Sequence, residues 1–290
     1  MTNKYYLLKV WRSRGRDAAV RELKKLTDAD ALALLSPKAV SFPLIYALYP
    51  ELKSRNYLLS GSKAVFDAVC IIAVKLEGKN MRGIPDEESL KWILMTGSEY
   101  LGSSPEQDEY DEIIDYAAAL YCDNFAETEV LTQIANVIYK RNRRGLFIHD
   151  LSAALFRTAD PATLRYIARQ LLSQNDFDVN LTCELMGFEH PKTEAARKAL
   201  YEEYSNWLGE HKDYLYVTGQ YFNETSEPIH VRHDREAKAL GKKIFPKDRT
   251  PVVPLNEKEY AKLLALRGDP GRPHITYYTD KNLPYCGKED

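Results

Sequence analysis

The chain lacks the residue groupings by which many catalytic and secreted proteins are recognised. Its four cysteines, Cys70, Cys122, Cys183 and Cys286, stand far apart with no C-x-x-C pair. That spacing argues against a zinc knuckle, a redox dithiol or a disulfide framework. Gly61, Gly78, Gly83 and Gly97 fit neither G-x-x-x-x-G-K nor G-x-G-x-x-G, so no phosphate-cradling loop can be read from them. A G-x-S-x-G elbow is also missing, which removes one serine-hydrolase signature.

Long apolar runs are absent as well. The most apolar stretch, 65–76, includes Asp67 and Lys75 and falls short of the roughly 20 residues a bilayer crossing needs. Lys4, Lys9 and Arg12 break up the first apolar segment, leaving no signal-peptide core. The expectation is a protein neither secreted nor membrane-embedded, cytoplasmic and reduced, without a cofactor.

Neither sign of charge dominates. The net charge of −2 is unevenly spread, with +6 over residues 1–25, +4 over residues 228–290 and −12 between them. An acidic body thus lies between two basic ends, an arrangement that by itself disfavours a polyanion partner.

What is present is the composition of a globular protein. Of 290 residues, 44% are hydrophobic and 28% charged, enough apolar material for a substantial core. Tyrosines number 20 against nine phenylalanines, and tyrosine suits half-buried seams and recognition surfaces alike. Capping residues and helical spacing recur along the body. Ser36-Pro37 opens one segment, which Pro43 interrupts, and Ser62 caps a run that Gly78 stops. Apolar residues encircle that run, so it is expected at the centre. Asp86, Glu127-Thr128, Asp150, Asp160-Pro161 and Pro191 open further helices. The acids between Glu106 and Asp115 read as a solvated face opposite Tyr110, Ile113, Ile114 and Ala117.

After Asn223 proline recurs at 228, 246, 251, 254, 270, 273 and 284. Within this part Asn256, with Glu259, begins a helix running to about Arg267, and short β-like pieces surround Ile229-His230-Val231 and His274–Tyr278. The predicted fold class is mainly all-α, an irregular multi-helix bundle or a HEAT-like helical-repeat stack. Periodicity alone does not separate those two. The predicted organisation is a helical body over 1–222 and a proline-punctuated arm over 223–290 that packs on the body or on a partner.

Three functional readings follow. The first is a protein-binding scaffold or adaptor, leaning away from an enzyme, whose partner is another protein met by Trp11, Arg12, Arg14, Arg16, Tyr277 and Tyr278. Tryptophan and arginine concentrate binding energy at interfaces. The second is a nucleic-acid-binding or base-processing helical repeat that would use the terminal arginines and the run Lys140-Arg141-Asn142-Arg143-Arg144. The third is a metal-dependent hydrolase built on His230, His233 and Asp234, since imidazoles and a carboxylate can hold a water-activating metal. In that region Asp234 also stands where it would cap a short helix entered at Arg235.

Overall fold

Side-chain caps set many of the element boundaries. Ser62 Oγ, Asp86, Asp160, Asn175, Thr193 and Asp234 each accept a backbone N–H two or three residues on, at the start of a helix, satisfying donors that a helix cannot pair internally. The computed structural model describes residues 5–54, 62–81, 83–98 and 109–267. Over these the protein is mainly all-α, with fourteen α-helices and one two-stranded sheet. No helix among the described residues is long and apolar enough to cross a membrane.

By internal contacts the chain forms two compact units, Met1–Val137 and Ile138–Asp290. In the first lie α1 (Tyr6–Arg14), α2 (Arg16–Lys25), α3 (Asp28–Leu34), α4 (Phe42–Leu52), α5 (Lys63–Glu77), α6 (Glu87–Gly97) and α7 (Glu109–Asn124). The boundary between the units falls inside α8 (Thr128–Asn142). The second unit continues with α9 (His149–Phe156), α10 (Pro161–Arg169), α11 (Asp176–Met186), α12 (Glu194–His211), β1 (Leu215–Val217), β2 (Val231–His233), α13 (Arg235–Leu240) and α14 (Glu257–Arg267).

In the first unit the most deeply buried helix is α4 rather than the expected α5. Nine of the eleven α4 residues are buried, against six of fifteen in α5, and α4 packs on α2, α5 and α6. Although α5 is apolar around its circumference, it leaves Phe66 and Leu76 exposed. Pro43 does not interrupt a helix. It occupies the first turn of α4, where a missing N–H costs nothing, and the segment 36–39 forms a turn instead.

Gly97 ends α6 where a side chain fits only if its neighbours shift. A Cβ there would lie 2.6 Å from Ile114 Cδ1 and 3.3 Å from both Phe42 Cδ1 and the Tyr110 hydroxyl. The close approach is sealed by Tyr110, whose hydroxyl donates to the Gly97 carbonyl at 2.8 Å. The acidic face of α7 is not wholly solvated, because Asp111 is buried.

The second unit is held by apolar packing of α10 against α12 and by a polar seam from the end of α8 to α11. Tyr139 Oη lies 2.8 Å from Thr182 Oγ1. Arg143 grips the buried Asp178 with two bonds of 2.7 and 2.6 Å. β1 and β2 pair antiparallel, with Leu215 opposite His233 and Val217 opposite Val231, so strands on either side of Asn223 join in one ladder. Beyond Asn223 the chain holds two described helices, α13, entered at Arg235 behind the Asp234 cap, and α14. The cysteines Cys122 and Cys183 are buried reduced thiols, and burial pushes Cys183 up to about 11.

Candidate functional site

The side chains singled out in the sequence are placed in separate surroundings. Trp11 is half-buried on α1 while Arg12, Arg14 and Arg16 are exposed. Arg14 lies 3.7 Å from Glu22, a carboxylate that also accepts from the Tyr6 hydroxyl at 2.8 Å and from Lys25 at 3.1 Å. Tyr277 and Tyr278 lie outside the described residues. In the cationic run of α8, Arg141 is buried and donates to the Phe147 carbonyl at 3.3 Å, and Arg143 is paired with Asp178 as above. Two of its four cations therefore serve the fold.

His230, His233 and Asp234 each have different partners. Asp234 caps α13 through Oδ1, which accepts from Ala237 N at 2.9 Å. Its Oδ2 accepts from Arg249 at 2.8 and 2.6 Å. Arg249 holds the left-handed backbone region, at φ 62°, and its guanidinium carbon sits 4.4 Å from the centre of the Tyr216 ring. His233 packs edge-on to His211 at 4.5 Å and to Trp207 at 5.8 Å. His211 Nδ1 lies 2.7 Å from the Trp207 carbonyl, which can only accept, so that nitrogen carries the proton. The opposite nitrogen is then the acceptor for Lys238 Nζ at 2.6 Å. No group of three metal-ligating side chains gathers among the described residues.

What the second unit does assemble is a graded array of aromatic rings. Phe147, which is 68% exposed, meets His149 at 6.5 Å edge to face. His149, also exposed, stacks on the half-buried Phe222 at 5.5 Å. Phe222 meets the buried His230 at 5.4 Å, and His230 lies flat on buried Phe156 with centroids 4.1 Å apart and planes 15° apart. The array runs from solvent to core. Its outer end is held at three points: Arg141 binds the Phe147 carbonyl, Ser152 N bonds the Ile148 carbonyl at 2.9 Å, and Asn223 Nδ2 donates to Asp150 at 2.9 Å. That last bond corrects the expectation for Asp150. It does not cap α9, whose N-cap is Ile148, but ties the loop bearing Phe222 to the first turn.

The inner end borders a cavity of about 30 Å³ lined by Phe156, Leu164, Leu185, Met186, Tyr204, Trp207, Ile229, His230 and Val231. His230 is 2% exposed. Its Nδ1 lies 3.1 Å from the Gln220 carbonyl, and its Nε2 has no hydrogen-bond partner. Burial pushes its imidazole down to about 4, against a smaller upward pull from the Gln220 carbonyl. The ring is therefore neutral near pH 7, protonated at Nδ1 and bare at Nε2.

Sequence reasoning missed Phe147 because it sits in a short connector without periodicity. The available signal was an apolar residue just after the Arg143-Arg144-Gly145 helix stop, where chain usually turns to solvent. Comparison with family models, with curated proteins and with solved structures returned no match.

Proposed function

We propose that this chain is a protein-binding module, a scaffold or adaptor, whose second unit meets its partner through Phe147, His149 and Phe222. The observation that carries the reading is the exposure of Phe147 on a fixed backbone. An aromatic ring two-thirds in water gives up little conformational freedom on binding when its main chain is already anchored. Neighbouring aromatic rings supply area with few rotatable bonds, which concentrates binding energy in a small patch. No comparable observation favours a metal hydrolase, since both Asp234 oxygens already serve the helix cap and Arg249.

The test is affinity capture with full-length protein, comparing wild type with Phe147→Ala by quantitative mass spectrometry. Phe147 is exposed, so the substitution should leave the thermal midpoint unchanged within about a degree. A partner retained by wild type should drop at least about tenfold, the effect of losing one aromatic anchor. Identical recovery of every partner by the two proteins overturns the reading.

A further inference from the structure

An open groove of about 480 Å³ lies in the first unit, lined by the turn 36–39 and by the starts of α5 and α6. That volume falls within the range of small-molecule sites. Its sides are tied to one another by bonds within the fold. Trp92 Nε1 donates to the Pro37 carbonyl at 3.2 Å, and Phe42 N donates to Thr96 Oγ1 at 3.0 Å, which holds the turn against α6. Lys63 links α5 to α6, bonding Asp67 on its own helix and lying 4.0 Å from Asp86. The same contacts sort the charges on the walls. Lys63 is matched by Asp67 and Asp86, and Asp86 Oδ1 also caps α6 by accepting from Ser89 N at 2.7 Å. Lys38 and Glu88 remain. Both are exposed and both line the groove, and among the described residues neither forms an ion pair. The apolar part of the wall is Pro37, Ala64 and the half-buried Trp92.

We propose that this groove binds a free α-amino acid with an aromatic or large apolar side chain. Lys38 meets the carboxylate, Glu88 meets the ammonium, and Trp92 and Pro37 receive the side chain. The charges decide the class of ligand. An anion would meet Lys38 but bring its charge toward Glu88, and a cation would meet Glu88 but face Lys38. A zwitterion satisfies both. Lys38 stands on the turn and Glu88 on α6, so a molecule between those walls can present one charge to each. The aromatic wall decides the rest, because a tryptophan face gains by exchanging water for an apolar body. Sides already fixed to one another keep the ordering cost of binding low.

The test uses full-length protein labelled with ¹⁵N-tryptophan. The indole N–H resonance of Trp92, assigned by its loss in Trp92→Phe, reports the groove, and those of Trp11 and Trp207 serve as internal references. The probes are L-phenylalanine, phenethylamine, which lacks its carboxylate, and 3-phenylpropanoate, which lacks its ammonium. The expected result is a saturable shift of Trp92 with phenylalanine at millimolar concentration. Each analogue should bind about threefold more weakly or worse, the effect of losing one exposed ion pair. Lys38→Met should weaken phenylalanine and 3-phenylpropanoate while sparing phenethylamine. Glu88→Gln should weaken phenylalanine and phenethylamine while sparing 3-phenylpropanoate. Both positions are exposed, and the ligand series on wild type decides the matter even if a variant does not fold. None of these outcomes bears on Phe147, whose role is read by protein capture. Absence of a saturable shift with phenylalanine overturns the proposal, as do equal shifts of all three indoles. Binding of either analogue as tightly as phenylalanine also overturns it, since one of the two charges then has no part in recognition.

Discussion

Two residues show how a single side chain, or its absence, decides local packing. At Gly97 the neighbours Ile114, Phe42 and Tyr110 occupy the space a β-carbon would need. Gly97→Val should therefore destabilise the first unit by about 1–3 kcal/mol through overpacking, seen as a lower urea midpoint with an unchanged slope. An increase in midpoint would show that Ile114 simply moves aside. At Asp178 the cost runs the other way, through loss of an acceptor. This carboxylate is 1% exposed and takes both bonds from Arg143 and one of 2.9 Å from Ser173. Asp178→Ala should cost about 1.5–3 kcal/mol, the range for hydrogen bonds to a charged group. Arg143→Ala should cost at least as much, because it leaves the Asp178 carboxylate, 1% exposed, without its counter-charge, whereas the 44% exposed Arg143 left by Asp178→Ala is hydrated. Chemical denaturation of the two variants under identical conditions checks the order.

At the scale of elements, legibility followed chemistry that is local in sequence. The Ser62, Asp86, Asp160 and Asn256 starts could be read because each cap contacts a residue only three positions away. At α14 the box is reciprocal: Asn256 Oδ1 accepts from Glu259 N at 3.0 Å and Glu259 Oε2 from Asn256 N at 2.9 Å. Asn256→Ala should cost α14 about 1 kcal/mol, measurable as faster amide exchange over 257–267, and unchanged exchange would show that its other contacts suffice. Helix α11 was not legible, because Asp176, Asp178, Asn180 and Thr182 dilute its apolar stripe with residues that favour turns. The candidate site was the least legible part. Phe147, His149, Phe222, His230 and Phe156 span some eighty positions, and no periodicity links rings brought together only by folding. His230 was singled out for the wrong neighbours, since its ring belongs with Phe156 and Gln220 rather than with His233 and Asp234.

For the whole molecule, the buried histidine predicts how stability changes with acidity. His230 is held down to about 4 from an ordinary 6.5. Between those values the unfolded chain takes up a proton that the folded chain refuses, so stability falls as the pH falls. The contribution is complete above pH 6.5 and is lost by about pH 4, a difference of roughly 3 kcal/mol. Urea titrations across this window should show the decline, and His230→Phe should flatten it. An equal decline in the variant would assign the acid sensitivity to other groups.

The two buried thiols noted above have a practical consequence. Cys122 belongs to the first compact unit and Cys183 to the second, and each is at most 3% exposed. A reagent in solution can modify either one only during an excursion that bares it. The chain thus carries a built-in stopwatch in each half. Mass-resolved alkylation in rising denaturant would time the opening of the halves in one experiment, and equal rates at both sulfurs would mean that they come apart as one.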